Sequence, residues 1–180
     1  MNRVFELLPE LNLIGDHSLR EGAARAWVRA WEMSKWGDLA QVPFSPKIGE
    51  KPSLVEHTRA VTQTVVGYVD RVNEDRKAEI DTDILVAAAI LHDVCKVLES
   101  EPADGEPGKS QVGELITHGV MSGFLAWEQG LPLRLVHLLL THTPQSKMAP
   151  RFLEGVLLRH ADLLDADFRY FSAGFQPIFS

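Results

Sequence analysis

A chain of 180 residues, 45% of them hydrophobic, can bury a core unaided, and its single cysteine, Cys95, excludes a disulfide framework. The net charge of −7 excludes a broad nucleic-acid surface, because backbone phosphates are bound chiefly by Lys and Arg. Acidic residues and a proline interrupt the opening "MNRVFELLPELN" and no later apolar run reaches membrane-span length, so a soluble cytoplasmic protein with no membrane partner is expected.

Periodicity of 3.6 residues recurs along the chain, without sustained alternation of the strand kind or internal repeats. An all-α fold follows. One domain over 1–180 is expected: a helical extension and Pro-rich connector over 1–52, a helical core over 53–167, and an aromatic tail over 168–180. A first helix is predicted from Leu19 to Trp36, with Trp27 and Trp31 on one side, and the connector "QVPFSPKIGEKPS" stops it. Ser53 and Glu56 form a capping box that opens a second helix, whose stripe Leu54, Thr58, Val61, Val65, Tyr68 and Val72 should face the core. The charged turn "NEDRKAEIDTD" ends it. The acidic residues at Asp81 and Asp83 then start a third helix that runs through "AAAILHDVCK".

The stretch Glu99 to Gly113, rich in proline, glycine and acidic residues, reads either as an idle surface loop or as a lid with Lys109 and Ser110 as anion contacts. Helices over Leu115 to Gln129, Pro132 to His142 and Pro150 to Phe171 complete a bundle of roughly six. The tail "YFSAGFQPIFS" should lay Phe171, Phe175, Ile178 and Phe179 over the domain's own core or, in a homodimer, against a second copy.

Several helices carry a metal-binding side chain beside their apolar face. His57 adjoins the stripe of the second helix. His92 follows Leu85 and Ala89 at offsets of seven and three, with Asp93 next to it; His118 shares a face with Met121 and Leu125; His142 follows Leu135 and Leu138, and Asp162 follows Leu158. Any one of these alone reads as a hydrogen-bonded core residue. Together they ask for compensation, since buried charges are paired or bound to metal and few basic residues lie near them in sequence. His160 reads as core or as support behind a ligand, and Asp165 either orients a ligand or repeats the face of Asp162. His137, five residues before His142, points elsewhere, and His17 reads as a surface residue. The tryptophans and the run Val42 to Phe44 read as core rather than as a floor for a substrate ring.

The ordered segments "LVEHTRAV", "ILHDVCK", "LITHGVMSG", "LLLTH" and "RHADLLDAD" resemble the HD superfamily of metal-dependent phosphohydrolases, and most of all the HD domain of bacterial 3′-to-5′ exoribonucleases. The resemblance covers about Ser53 to Asp167 and implies an HD-domain helical bundle. It further implies that His57, His92, Asp93 and Asp162 hold one metal, that Asp93 bridges to a second held by His118 and His142, and that Lys96 neutralises a phosphate oxygen. Four imidazoles and two carboxylates favour Fe, Mn, Zn, Ni or Co over Mg or Ca. Two divalent transition-metal ions would share an activated water and attack a phosphomonoester or phosphodiester, a nucleotide among the candidates. Lys96 has a second reading as an exposed helix-end lysine. Alternatives for the whole are a diiron oxygenase on the same ligands, or a metal-stabilised signalling module without turnover. Cys95 stands where the family usually has glycine, which implies tight packing behind the site. Thr143 stands where the exoribonuclease-like relatives often have a second histidine, which argues against a third metal.

Overall fold

The computed structural model describes residues 1–49, 52–76 and 79–178. In chain order these form α1 (Asn2–Leu7), a 3₁₀ turn (Pro9–Leu13), α2 (His17–Met33), α3 (Leu54–Arg76), α4 (Thr82–Leu91), the short α5 (Lys96–Glu99), a hairpin of β1 (Ser100–Glu101) and β2 (Gly108–Lys109), α6 (Gln111–Leu115), α7 (His118–Glu128), α8 (Leu133–Thr141) and α9 (Leu153–Ser172). The expected all-α bundle is present. No helix of the described residues is long and apolar enough to cross a membrane.

Helix α4 is the axis around which the rest packs, meeting α2, α3, α8, α9 and the 3₁₀ turn. Every residue from Ile84 to Leu91 is buried. A helix enclosed on all sides must be apolar all round, which is why "ILVAAAIL" has no polar face, and its alanines let neighbours approach closely. Its start is fixed by Asp81, whose side chain accepts from the Ile84 amide. The capping box is reciprocal as expected: the Ser53 amide donates to Glu56 (2.6 Å) and the Glu56 amide donates to the Ser53 hydroxyl (3.3 Å).

Several boundaries and faces differ from expectation, each for a local reason. Helix α2 begins at His17 because Asp16 caps it through the Leu19 amide, and it stops at Met33. Trp36 lies beyond it, buried because its indole donates to the Ser100 carbonyl. The third predicted helix breaks at His92, so that a turn separates α4 from α5. The predicted helix from Leu115 is interrupted by extended backbone at Ile116 and Thr117, and the last helix begins at Leu153, not Pro150. Tyr68 is not core; it is 45% exposed, on the outer edge of α3. The stretch from Glu99 is no loose loop, since Ser100 pairs with Lys109 and Glu101 with Gly108. In the tail, Phe171, Phe175 and Ile178 remain exposed instead of covering the core, and Phe175 meets only the edge of Tyr170 among aromatic rings of the described residues. Phe179 lies outside the described residues.

One close approach positions the site. A side chain at Gly119 would meet the Leu139 carbonyl at 3.1 Å and Thr143 at 3.3 Å. Glycine there lets α7 lie against α8, which brings His118 to His142.

Candidate metal centre

His92 and His142 are built in the same way. Each is the residue that ends its helix, where carbonyls lack helical partners. Its Nδ1–H donates to the carbonyl three residues earlier, Ala89 for His92 (2.7 Å) and Leu139 for His142 (2.8 Å). That bond fixes the tautomer and leaves the Nε2 lone pair facing inward. His57, near the start of α3, donates from Nδ1 to the Asp165 carboxylate (2.6 Å), and Arg169 in turn donates to Asp165. The fourth imidazole, His118 at the start of α7, turns Nδ1 toward Glu99 at 3.3 Å.

The free ends of these side chains converge as two groups that could each hold a metal ion. In the first, His57 Nε2 is 3.1 Å from His92 Nε2, 3.3 Å from Asp93 Oδ2 and 3.2 Å from Asp162 Oδ1. In the second, Asp93 Oδ1 is 3.6 Å from His118 Nε2 and 3.7 Å from His142 Nε2. Asp93 therefore gives one oxygen to each group. Lys96 lies on the same carboxylate, its ammonium 2.7 Å from Oδ2 and 4.5 Å above the Phe44 ring; Phe44 also packs on His57 at 4.2 Å.

Electrostatics describe a place that wants positive charge. Burial pushes the Asp93 carboxyl up, but Lys96 and His92 outweigh it and hold it well below the usual carboxylate range. Burial likewise resists charge on His92, yet Asp93 and Asp162 push its pKa up to about 10, and His57 is raised by Asp162, Asp165 and Asp93 against the same resistance. Protons on these rings stand where a cation would otherwise neutralise the carboxylates. Asp93 Oδ2 has the Lys96 ammonium, but Asp93 Oδ1 and His142 Nε2 are buried without a hydrogen-bond partner, which native structures rarely tolerate. Orphaned donors of mixed imidazole and carboxylate type fit transition-metal ions.

All six predicted ligand residues are thus brought together. Lys96 is not an exposed helix-end lysine but partly buried against Asp93. Of the two expected contacts in the 99–113 stretch, Lys109 lines the mouth of the site, whereas Ser110 caps α6: its hydroxyl donates to the Leu98 carbonyl and accepts from the Gly113 amide. Asp165 orients His57. His160 is exposed on the outer side of α9, so neither reading given to it holds; it shares a stripe with Leu164, but that stripe faces out. His137 accepts from the Arg151 amide, away from the cluster, and His17 is exposed. Cys95 is fully buried behind the site, and burial pushes its thiol up, away from reactivity.

Sequence reasoning did not assign Glu99, Tyr170 or Arg169 to the site, and read Phe44 only as core. Arg169 alone had a signal, four residues after Asp165. The cluster opens into a cavity of about 240 Å³ lined by Lys96, Glu99, His118, Gln145, Asp162 and Tyr170 among others, and beside it lies one of about 290 Å³ reached by Lys47, Lys96 and Lys109. A larger cavity, about 780 Å³, is elsewhere, between α3 and α9. Its lining is mostly apolar and lacks converging charged groups, so the chemistry belongs to the smaller ones.

The sequence profile of the HD domain matches residues 54–167, well over half of the chain, and the chain belongs to the HD-domain family. Family and site together fit the metal-dependent phosphohydrolases. No curated protein and no solved structure matches the chain.

Proposed function

We propose that the protein is a dinuclear metal-dependent phosphohydrolase acting on a small phosphomonoester or phosphodiester of nucleotide size. The observation that carries this is Asp93, with Oδ2 among His57, His92 and Asp162 and Oδ1 between His118 and His142. A lone ion needs no such bridge. Two transition-metal ions held there supply Lewis acidity to the phosphoryl oxygens and lower the pKa of water toward neutrality.

The remaining work falls to the chain. Asp165 and the Ala89 and Leu139 carbonyls keep the imidazoles aimed and in one tautomer. Lys96, steadied over Phe44, lines both cavities at the cluster and takes a phosphate oxygen as a point charge. The order of the ligand residues resembles that of the HD superfamily; the net charge of −7 and cavities of this size suit a short substrate.

The test combines elemental analysis with turnover. Protein purified without added metal should hold about two ions per chain, and its manganese, cobalt or zinc form should release phosphate or a nucleoside monophosphate in the absence of oxygen. Lys96→Ala should weaken kcat/KM by about 1–3 kcal/mol, as for a charged contact. Catalysis confined to iron and air would move the protein to the oxygenases.

A further inference from the structure

Lys47 and Lys109 come to one cavity from unrelated segments. Lys47 stands in the 3₁₀ turn Pro46–Ile48, in a connector tied to the start of α3, where the Phe44 amide donates to the Pro52 carbonyl (3.0 Å) and the Leu54 amide to the Val42 carbonyl (2.8 Å). The same connector is tied to α9 by the Tyr170 hydroxyl, which donates to Ser45 (3.0 Å). Lys109 stands in β2, whose partner strand is anchored by the Trp36 indole at the Ser100 carbonyl. Both lysines are therefore placed by backbone tethers.

Neither lysine ion-pairs with any described residue, in a chain with 25 acidic against 18 basic residues. Nearby lysines behave otherwise: Lys35 pairs with Glu101 at 2.7 Å and Lys96 with Asp93. Glu99 lies on the same cavity wall but faces His118. A second cavity, shared by the two lysines and His118, also has Glu114 on its wall, and Glu114 ion-pairs with neither lysine. Both lysines are exposed at the mouth of the cavity, where their ammonium groups can meet an anion that enters it. The lysine cavity and the one at the ligand cluster share Lys96 and Glu99, so they form a continuous cleft.

We infer that the substrate carries a second anionic group, a phosphate or carboxylate, which docks between Lys47 and Lys109 while its scissile phosphate lies at the metal centre beside Lys96. The inference rests on the phosphohydrolase reading for the first anion. The two lysines set specificity and take no part in bond breaking. Compounds with one anion fill half of the cleft and bind correspondingly weakly.

Calorimetry on the zinc-loaded protein tests this with non-hydrolysable α,ω-alkane bisphosphonates of increasing length against an alkyl monophosphonate. One spacer length should bind at least about tenfold tighter than the monophosphonate, as a charged contact provides. The advantage should vanish in Lys47→Ala/Lys109→Ala and survive in Lys35→Ala. No preference at any length, a preference kept in the double variant, or equal loss for both ligand types would each overturn the subsite. If the lysine-dependent preference appears in a protein that turns over no phosphoester, the subsite stands and the hydrolase reading fails. If monophosphates are hydrolysed without any bisphosphonate preference, the subsite alone falls.

Discussion

The two halves of the ligand cluster share Asp93 but differ in how they are enclosed. The first group draws on α3, the end of α4 and α9, and its His57 and His92 are fully buried under Phe44 and the core. The second depends on the contact of α7 with α8, and its His118 is 22% exposed at the cleft. Burial on this scale makes a site rigid and slow to exchange; exposure makes it reachable by substrate and easier to empty. Position in the fold thus gives two groups with similar donors different accessibility.

The comparison breaks most completely at the shared residue. Asp93→Ala should lose both ions, or nearly both, whereas His118→Ala or His142→Ala should lose mainly one; elemental analysis reads the difference directly, and a single ion in every protein would end the two-site account. A subtler variant acts on one half without touching a ligand. In Gly119→Ala the new methyl meets the Leu139 carbonyl and Thr143, so α7 should move off α8, costing about 1–3 kcal/mol of stability and emptying the second group while the first stays filled. Denaturant unfolding and metal content together check both parts.

Smaller effects sharpen the picture of the closed half. Asp165→Asn removes the charge behind His57 and should weaken metal at the first group by about 10–100-fold, measurable by competition with a chelator. The pH response should reverse with metal. In the metal-free protein the His92 pKa is raised to about 10 from 6.5, so its stabilising proton is fully present below pH 6.5 and lost as pH climbs through about 10; thermal stability should fall over that window. With metal bound the rings must be deprotonated, and stability should fall on acidification instead. A metal-free protein whose Tm is flat from pH 6.5 to 10 would contradict the charge balance derived for His92.

What was legible in the sequence followed from helical spacing and the cost of burying charge. Those two rules singled out His57, His92 with its neighbour Asp93, His118, His142 and Asp162 as candidates, and the resemblance of their order to the HD superfamily assigned them as ligands. The same rules misplaced Tyr68 and His160. Both belong to genuine stripes, but periodicity defines a face without saying whether a neighbour covers it, and these faces line an open groove. The hairpin was invisible because strands of two residues have no period to detect. Phe44, Glu99 and Tyr170 reach the site by tertiary convergence from a connector, a helix end and a distant helix, and no local pattern marks them.

The way His92 and His142 are held has a consequence for assembly. Each ring is moored to a carbonyl of its own helix, so hydrogen bonds of the chain itself, and not a cation alone, aim the ligand atoms. Metal uptake then spends little of its binding energy on ordering the chain. Chelators should strip the ions and leave a folded, reloadable apoprotein, unlike small metal-dependent domains for which losing the ion means losing the fold.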